Sequence, residues 1–298
     1  MQNRKEIKKA SCLCLRGHYG AAGLLAVMPF LLSAAVSGTE WLVSRLLNVS
    51  YFADAAHTAG YYFDDTLRLT LQPLALLIGF GILELLLTAP LRLGIRQWFL
   101  RLSADDAPAV SAAFRPYTRL RRILKAFWLR LTLLFRCAVL WVAAAMPALL
   151  VWVLYAFSGE LFSSAYPWIR TLLFLAFLVT FLTCQVLYFY WRLRYFLAEY
   201  LYLVYPCKIR EAVKLSVRIM KGKKNAVFSF YLSCIPLMLL ALLILPAWYA
   251  LPRLYAAQAG YARALIEQHE AAKETVPVPS GASQQTVPIP DLRHLSLQ

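Results

Sequence analysis

Two ionisable side chains stand inside otherwise uncharged apolar stretches, and that placement makes them the first candidates for chemistry. Glu84 lies eight residues before Arg92, about 12 Å from that basic boundary at the rise of a helix. Arg136 lies six residues beyond Arg130, about 9 Å in by the same measure. A charge isolated in hydrocarbon is costly, so such residues pair, face a polar passage, or mark a function. The matching depths predict a Glu84–Arg136 pair between consecutive antiparallel helices. Such a pair can line a passage or binding cavity, or can act only as a buried lock on helix register. Arg136 can alternatively reach inward to lipid phosphate without Glu84.

The second constellation is cationic. In "CKIREAVKLSVRIMKGKK", Ile209, Ala212, Val213, Val217 and Met220 recur at spacings that share one helical face. Arg210, Lys214, Arg218 and Lys221 follow another face, and Gly222 offers a left-handed cap before the next apolar run. These residues predict a helix in the membrane interface, apolar side down, with cations toward lipid phosphates. Each cation near an anionic surface is worth roughly 1 kcal/mol. The plainer alternative is that they only fix topology, since every inside loop must be basic.

Other chemistry has little footing. Cys12 and Cys14 form a Cys-x-Cys pair with only His18 nearby, which is short of a metal-ligand set. His57, His269 and His294 are scattered, and Asp64–Asp65 and Asp105–Asp106 read as helix caps or solvated charges. There is no Gly-rich phosphate cradle and no nucleophile elbow. The expectation is no catalytic residue, no metal, no cofactor and no enzyme.

The elements that must position these residues are apolar and long. Of 298 residues, 61% are hydrophobic and 15% charged, against about 25% charged in soluble domains; mean hydropathy is +0.58. Five segments approach the roughly 20 residues needed to cross a bilayer core. They give spans near 20–40, 70–93, 131–156, 171–191 and 225–250. Backbone groups in lipid must satisfy one another, which requires helices here. Pro29, Pro147, Pro236 and Pro246 are candidate kinks, and Gly79 and Gly81 candidate points of close helix approach. Thr171–Val204 is too long for one straight crossing, about 50 Å as a helix, so it should tilt, project or bend.

The net charge of +16 invites nucleic acid, but its distribution argues otherwise. Met1–Gly20, Leu91–Arg130 and Trp191–Asn225 hold 5, 9 and 9 of the 31 Lys and Arg. Cytoplasmic loops retain cations in this way, so the N-terminus is expected inside and, after five spans, the C-terminus outside. "SAAVSG" after the first apolar run also fits signal-peptide cleavage, but Trp41–Leu47 continues the apolar pattern and favours an uncleaved span. Pro108 and Pro206 each precede a short amphipathic stretch, a basic run and a span. That echo suits an internal repeat and, more simply, what any basic elbow needs.

The expected fold is all-α, a polytopic membrane helix bundle with about five transmembrane helices, cytoplasmic amphipathic elbow helices and a disordered C-terminal tail. Residues 1–270 form a single transmembrane domain, with a polar-leaning helix beyond Pro252. Residues 271–298, with their repeated Thr-Val-Pro-x-Pro element, form the tail. The expected partners are the lipid bilayer, anionic phospholipid in particular, and a second copy or another membrane protein, with no nucleic acid.

"RKEIKKASCLCLRGHYG", "REAVKLSVRIMKGKKNAVFSFYLSCIP" and the following "LYAAQAGY" resemble a family of bacterial multi-pass membrane proteins known as domain of unknown function 975. Its Ala-x-x-x-Ser-x-x-x-Met-x-Gly elbow corresponds to Ala212, Ser216, Met220 and Gly222, and its Leu-Ser-x-Ile element to Leu232, Ser233 and Ile235. Leu237 stands where the family pattern has Trp, and Arg253 where it has Tyr. The resemblance implies a bacterial plasma membrane and no established activity. Together these features suggest a non-enzymatic membrane accessory or scaffold protein, with an oligomeric transporter of a small solute or lipid as the alternative.

Overall fold

The computed structural model describes residues 4–47, 63–104, 106, 108–161, 167–205 and 207–274. Among these residues there are helices and turns and no strand. In order come α1 (Arg4–Cys14), α2 (Tyr19–Leu46), α3 (Phe63–Leu102), α4 (Leu120–Leu161), α5 (Pro167–Arg192) and α6 (Ala198–Val204). They are followed by α7 (Ile209–Ile219), α8 (Lys224–Leu232), α9 (Ile235–Ala241) and α10 (Ile244–Glu274). Short 3₁₀ helices occupy Val110–Thr118 and Leu193–Tyr195. Most of the expected tail, 275–298, and the loop 48–62 lie outside the described residues.

Four stretches are long and apolar enough to cross a membrane: Tyr19–Leu46, Pro73–Leu102, Leu120–Phe157 and Trp168–Val204. A fifth exists only if α8 and α9, bent by 49° at their junction, count as one. At most 33% of any such stretch's most apolar window is buried, and Phe135, Leu150, Leu154 and Val179 stand exposed. A soluble protein would bury such faces; unburied apolar surface on this scale calls for an apolar surrounding. The tightly packed residues lie instead near the basic segments.

The chain divides into two compact units, each discontinuous in sequence. The first comprises Met1–Arg130 with Pro236–Ala264, and the second Leu131–Ile235 with Leu265–Gln298. In the first unit α2 and α3 pack together, and the 3₁₀ helix lies back across the end of α3. Gly94 permits that crossing: a Cβ there would fall 1.8 Å from the Ala113 carbonyl oxygen. Trp98, whose indole donates to the Pro108 carbonyl at 3.0 Å, and Phe99 fill the junction. Tyr117 donates to the Leu87 carbonyl from the same turn. The expected contact glycines, Gly79 and Gly81, would place a Cβ within 4 Å of nothing in their unit's described residues. The close approaches are instead at Gly94 and at Gly23, where a Cβ would meet the Trp248 indole at 2.8 Å.

In the second unit the over-long fourth segment changes helix type near its end. Its α-helical pattern gives way to 3₁₀ at Leu193–Tyr195 before α6, within one apolar stretch that runs from Trp168 to Val204. The core there contains Leu193, Leu197, Tyr200 and Leu201 from this stretch and Val227 and Phe230 from α8. The two elbows differ in helix type, 3₁₀ in one and α in the other. That difference suits the simpler reading of their likeness, in which each needs only a proline, a basic stripe and an apolar face.

The fifth apolar segment does not form one straight helix. Turns at Ser233–Cys234 and Leu242–Leu243 divide residues 224–250 into α8, α9 and the start of α10. Pro236 and Pro246 sit in the first turns of α9 and α10, where a missing N–H costs no intrahelical bond. Pro29 and Pro147 lie inside α2 and α4. The chain past Pro252 was expected to leave the bundle at the far end of the fifth span. It lies instead beside the start of α2 and the end of α3: Arg253 meets Tyr19, and Tyr255 stacks on Phe99.

Candidate functional site

The cationic helix is built as its spacing requires, with one difference in what covers it. At its start the Lys208 N–H donates to the Glu211 carboxylate at 3.2 Å, satisfying a donor left open at a helix start. At its end Gly222 adopts φ +86°, the left-handed cap anticipated from sequence. Arg210, Lys214, Arg218 and Lys221 are all exposed. The apolar side, expected to face the membrane, is covered by protein: Ala212, Val213 and Met220 are fully buried against α6 and the 193–195 turn. α6, whose own apolar residues Leu201 and Val204 are buried, and the 193–195 turn supply that cover. Ser216 fixes the arrangement by donating to the Arg194 carbonyl at 2.8 Å.

Two groups beside this helix are tuned by burial. The Cys207 thiol is pushed up, first by burial and then by the negative Glu211, with a backbone hydrogen bond opposing. The Tyr205 phenol is pushed well above its ordinary range by burial first, then by its hydrogen bond and charge contact with Glu270. On the neighbouring α8, the Tyr190 hydroxyl donates to Asn225 Oδ1 at 2.8 Å, and Lys224 lies 5.9 Å from the Tyr190 ring centre. The aromatic end of α5 thus contacts the head of α8.

Of the intramembrane candidates, Glu84 accepts a hydrogen bond from Ser33 Oγ on α2. Counting inward, Ser33 lies 14 residues from Tyr19 and Glu84 lies 15 residues from Phe99. Both counts give about 21–22 Å at the helical rise. Arg136 is half-buried on α4 in the second unit, whereas Glu84 belongs to the first; their pairing stays an expectation. Near the end of α2 the Arg45 guanidinium lies 5.2 Å from the Trp41 indole centre.

Sequence reasoning missed the cluster around Arg253. Its guanidinium lies 3.8 Å from the Tyr249 ring centre, and its Nε donates to the Tyr19 hydroxyl at 2.8 Å. Tyr19 stacks on Tyr249 with centroids 6.2 Å apart, and Cys12 Sγ lies 3.9 Å from the Tyr19 oxygen. The Tyr249-x-x-x-Arg253 spacing was the available signal, because residues four apart share a helical face. Cys12 therefore makes a side-chain contact to a tyrosine. Among the described residues no three His, Cys, Asp or Glu come together as a metal site would require. His57, His294 and Asp105 lie outside the described residues.

An all-helical chain, over its described residues, with four to five apolar helices of membrane-crossing length and packed basic ends is the class that fold and site define. The chain belongs to the family described as protein of unknown function (DUF975), whose sequence model matches residues 1–268. No curated protein and no solved structure matches it.

Proposed function

We propose that this is a multi-pass bacterial plasma-membrane protein with its N-terminus and basic elbows in the cytoplasm. It works as a non-enzymatic accessory or scaffold component and carries anionic phospholipid on α7. The observation that supports this reading is the exposed row Arg210, Lys214, Arg218 and Lys221 on a helix already anchored by protein. Cations held there can meet lipid phosphates without first ordering the helix that bears them. The test is native mass spectrometry of protein extracted in mild detergent. Wild type should retain anionic over zwitterionic phospholipid. The variant with all four residues changed to Gln should lose that preference several-fold while keeping its oligomeric state. An unchanged lipid profile sinks the proposal.

The Ser33–Glu84 hydrogen bond favours a second reading, transport by an oligomer, because a carboxyl deep in an apolar region is costly without a role. Vesicles containing the purified protein separate the two readings. Solute or dye flux abolished by Glu84→Gln supports transport, and no flux alongside a specific co-purifying membrane protein supports the scaffold.

A further inference from the structure

We propose that residues 224–264 form a re-entrant hairpin, which enters the membrane from the cytoplasmic face, turns at Leu242–Leu243 within the hydrocarbon core, and returns to the same face. The proposal rests on the membrane reading above and replaces a fifth crossing by a re-entry. It places the C-terminal helix on the side of the N-terminus.

The direction of α10 is read from contacts in each unit. In the first unit Trp248 meets Gly23 and Arg253 meets Tyr19, so α10 runs antiparallel to α2. Tyr255 stacks on Phe99, and Arg263 donates to the Ser103 carbonyl at 2.5 Å, so α10 runs parallel to α3. α2 begins and α3 ends at basic segments, the ends assigned to the cytoplasm. α10 therefore heads toward that face. In the second unit Lys223 donates to Gln268 at 3.3 Å, and Tyr205 donates to Glu270. The last turns of α10 thus lie against the basic elbow from which α8 departs.

The outbound length fits entry without crossing. Lys224–Ala241 covers 18 residues, about 27 Å if straight and about 25 Å with the 49° bend, short of the roughly 30 Å core. The tip carries its own hydrogen bonds: the Leu242 and Leu243 N–H groups donate to the Leu239 and Leu240 carbonyls at 3.2 Å. Backbone at membrane depth must be satisfied in this way. Leu242 is 84% exposed and Leu239 64%, and the partner such a tip fits is the acyl-chain interior of the bilayer.

The test is cysteine accessibility in the full chain, with the native cysteines replaced by Ser. A membrane-impermeant maleimide should label Arg16→Cys and Glu267→Cys from the same side. It should reach Leu242→Cys from neither side. A spin label at Leu242→Cys should be more accessible to oxygen than to a water-soluble nickel chelate. Labelling of positions 16 and 267 from opposite sides, or of position 242 from the far side, overturns the hairpin. Reporter fusions after Gln298 of the unaltered chain give a second reading should the cysteine-free background misfold. A periplasm-active reporter working there while position 16 faces the cytoplasm overturns it equally. If both ends face outward together, the hairpin stands and only the assigned orientation fails. If all three positions label in intact vesicles and in soluble extract alike, the membrane reading itself fails.

Discussion

Replacing Gly94 by Ala tests whether the end of α3 is packed as described. The added Cβ would lie 1.8 Å from the Ala113 carbonyl oxygen and 2.8 Å from its carbon. Even a favourable carbon–oxygen contact needs about 3.3 Å, so the 3₁₀ helix must retreat by about 1.5 Å. The obstacle is backbone and cannot rotate aside. Its retreat would also disturb the fully buried Ala113 and the Tyr117 bond to Leu87. Overpacking costs about 1–3 kcal/mol, and a backbone clash belongs at the top of that range. Ala gains up to about 1 kcal/mol over Gly in a helix, which leaves a net loss of about 2 kcal/mol. At roughly 2–4 °C per kcal/mol, the melting temperature should fall by about 4–8 °C. The assay is thermal unfolding in mild detergent, followed by far-ultraviolet circular dichroism and by loss of the monodisperse peak on gel filtration. Gly79→Ala, on the same helix with nothing within 4 Å in its unit, is the control and should hold or raise the melting temperature. Gly23→Ala meets a side chain, the half-exposed Trp248 indole, and should fall between them. If Gly94→Ala and Gly79→Ala melt together, the reasoning is refuted.

Arg253→Gln removes the cation over Tyr249 and the bond to Tyr19 and should cost about 1–2 kcal/mol in the same melts. Arg253→Lys should lie between it and wild type, and equality of all three would exclude a stabilising clamp. Because burial and then Glu211 push the Cys207 thiol up, its thiolate is scarce near neutral pH and maleimide labelling should be slow. Glu211→Gln should quicken that labelling, and a rate indifferent to the change would remove the carboxylate from the account. The Tyr205 phenol keeps its proton past its ordinary range. Its contribution to stability is therefore full below about pH 10 and lost as pH climbs toward the folded value. Tyr205→Phe should flatten the alkaline fall in melting temperature, and an unchanged alkaline slope would count against this. Combining Glu84→Arg with Arg136→Glu should restore what either single change loses if the two pair. Failure to restore would leave Ser33 as the partner that matters to Glu84.

Much of the helical plan was legible because composition controls it. Runs such as Cys137–Gly159, long and without charge, announce helices of membrane-crossing length, and Gly222 announced its left-handed cap through its place between a cationic helix and an apolar run. The excess length of Thr171–Val204 was legible too, and the helix type changes at Leu193–Tyr195. Harder to read was where the helix is interrupted within an apolar segment. Leu242–Leu243 carries no Gly, Pro or polar residue, and the helix that follows meets Tyr19, more than 200 positions away, through Tyr249 and Arg253. The covering of α7 was equally hidden, since its apolar face reads identically whether lipid or α6 lies beneath. Gly79 and Gly81 attracted notice by their spacing, whereas Gly94 drew none. Which glycine admits a neighbour depends on where the next segment folds back. Arg253, one of two departures from the family pattern, is among the residues through which α10 meets α2.

The hydrogen bond from Ser216 to the Arg194 carbonyl bears on how α7 would meet charged headgroups under the proposed function. An amphipathic helix that is simply adsorbed can roll and slide, so its charges adapt to whatever lies beneath. Pinned to its own scaffold, α7 instead presents a ruler: from Arg210 to Arg218 the charges mark out about 12 Å along one axis, with Lys221 just past the helix end. Under that proposal such an array would discriminate by spacing as well as by sign, favouring headgroups, or clusters of them, whose phosphates match the intervals.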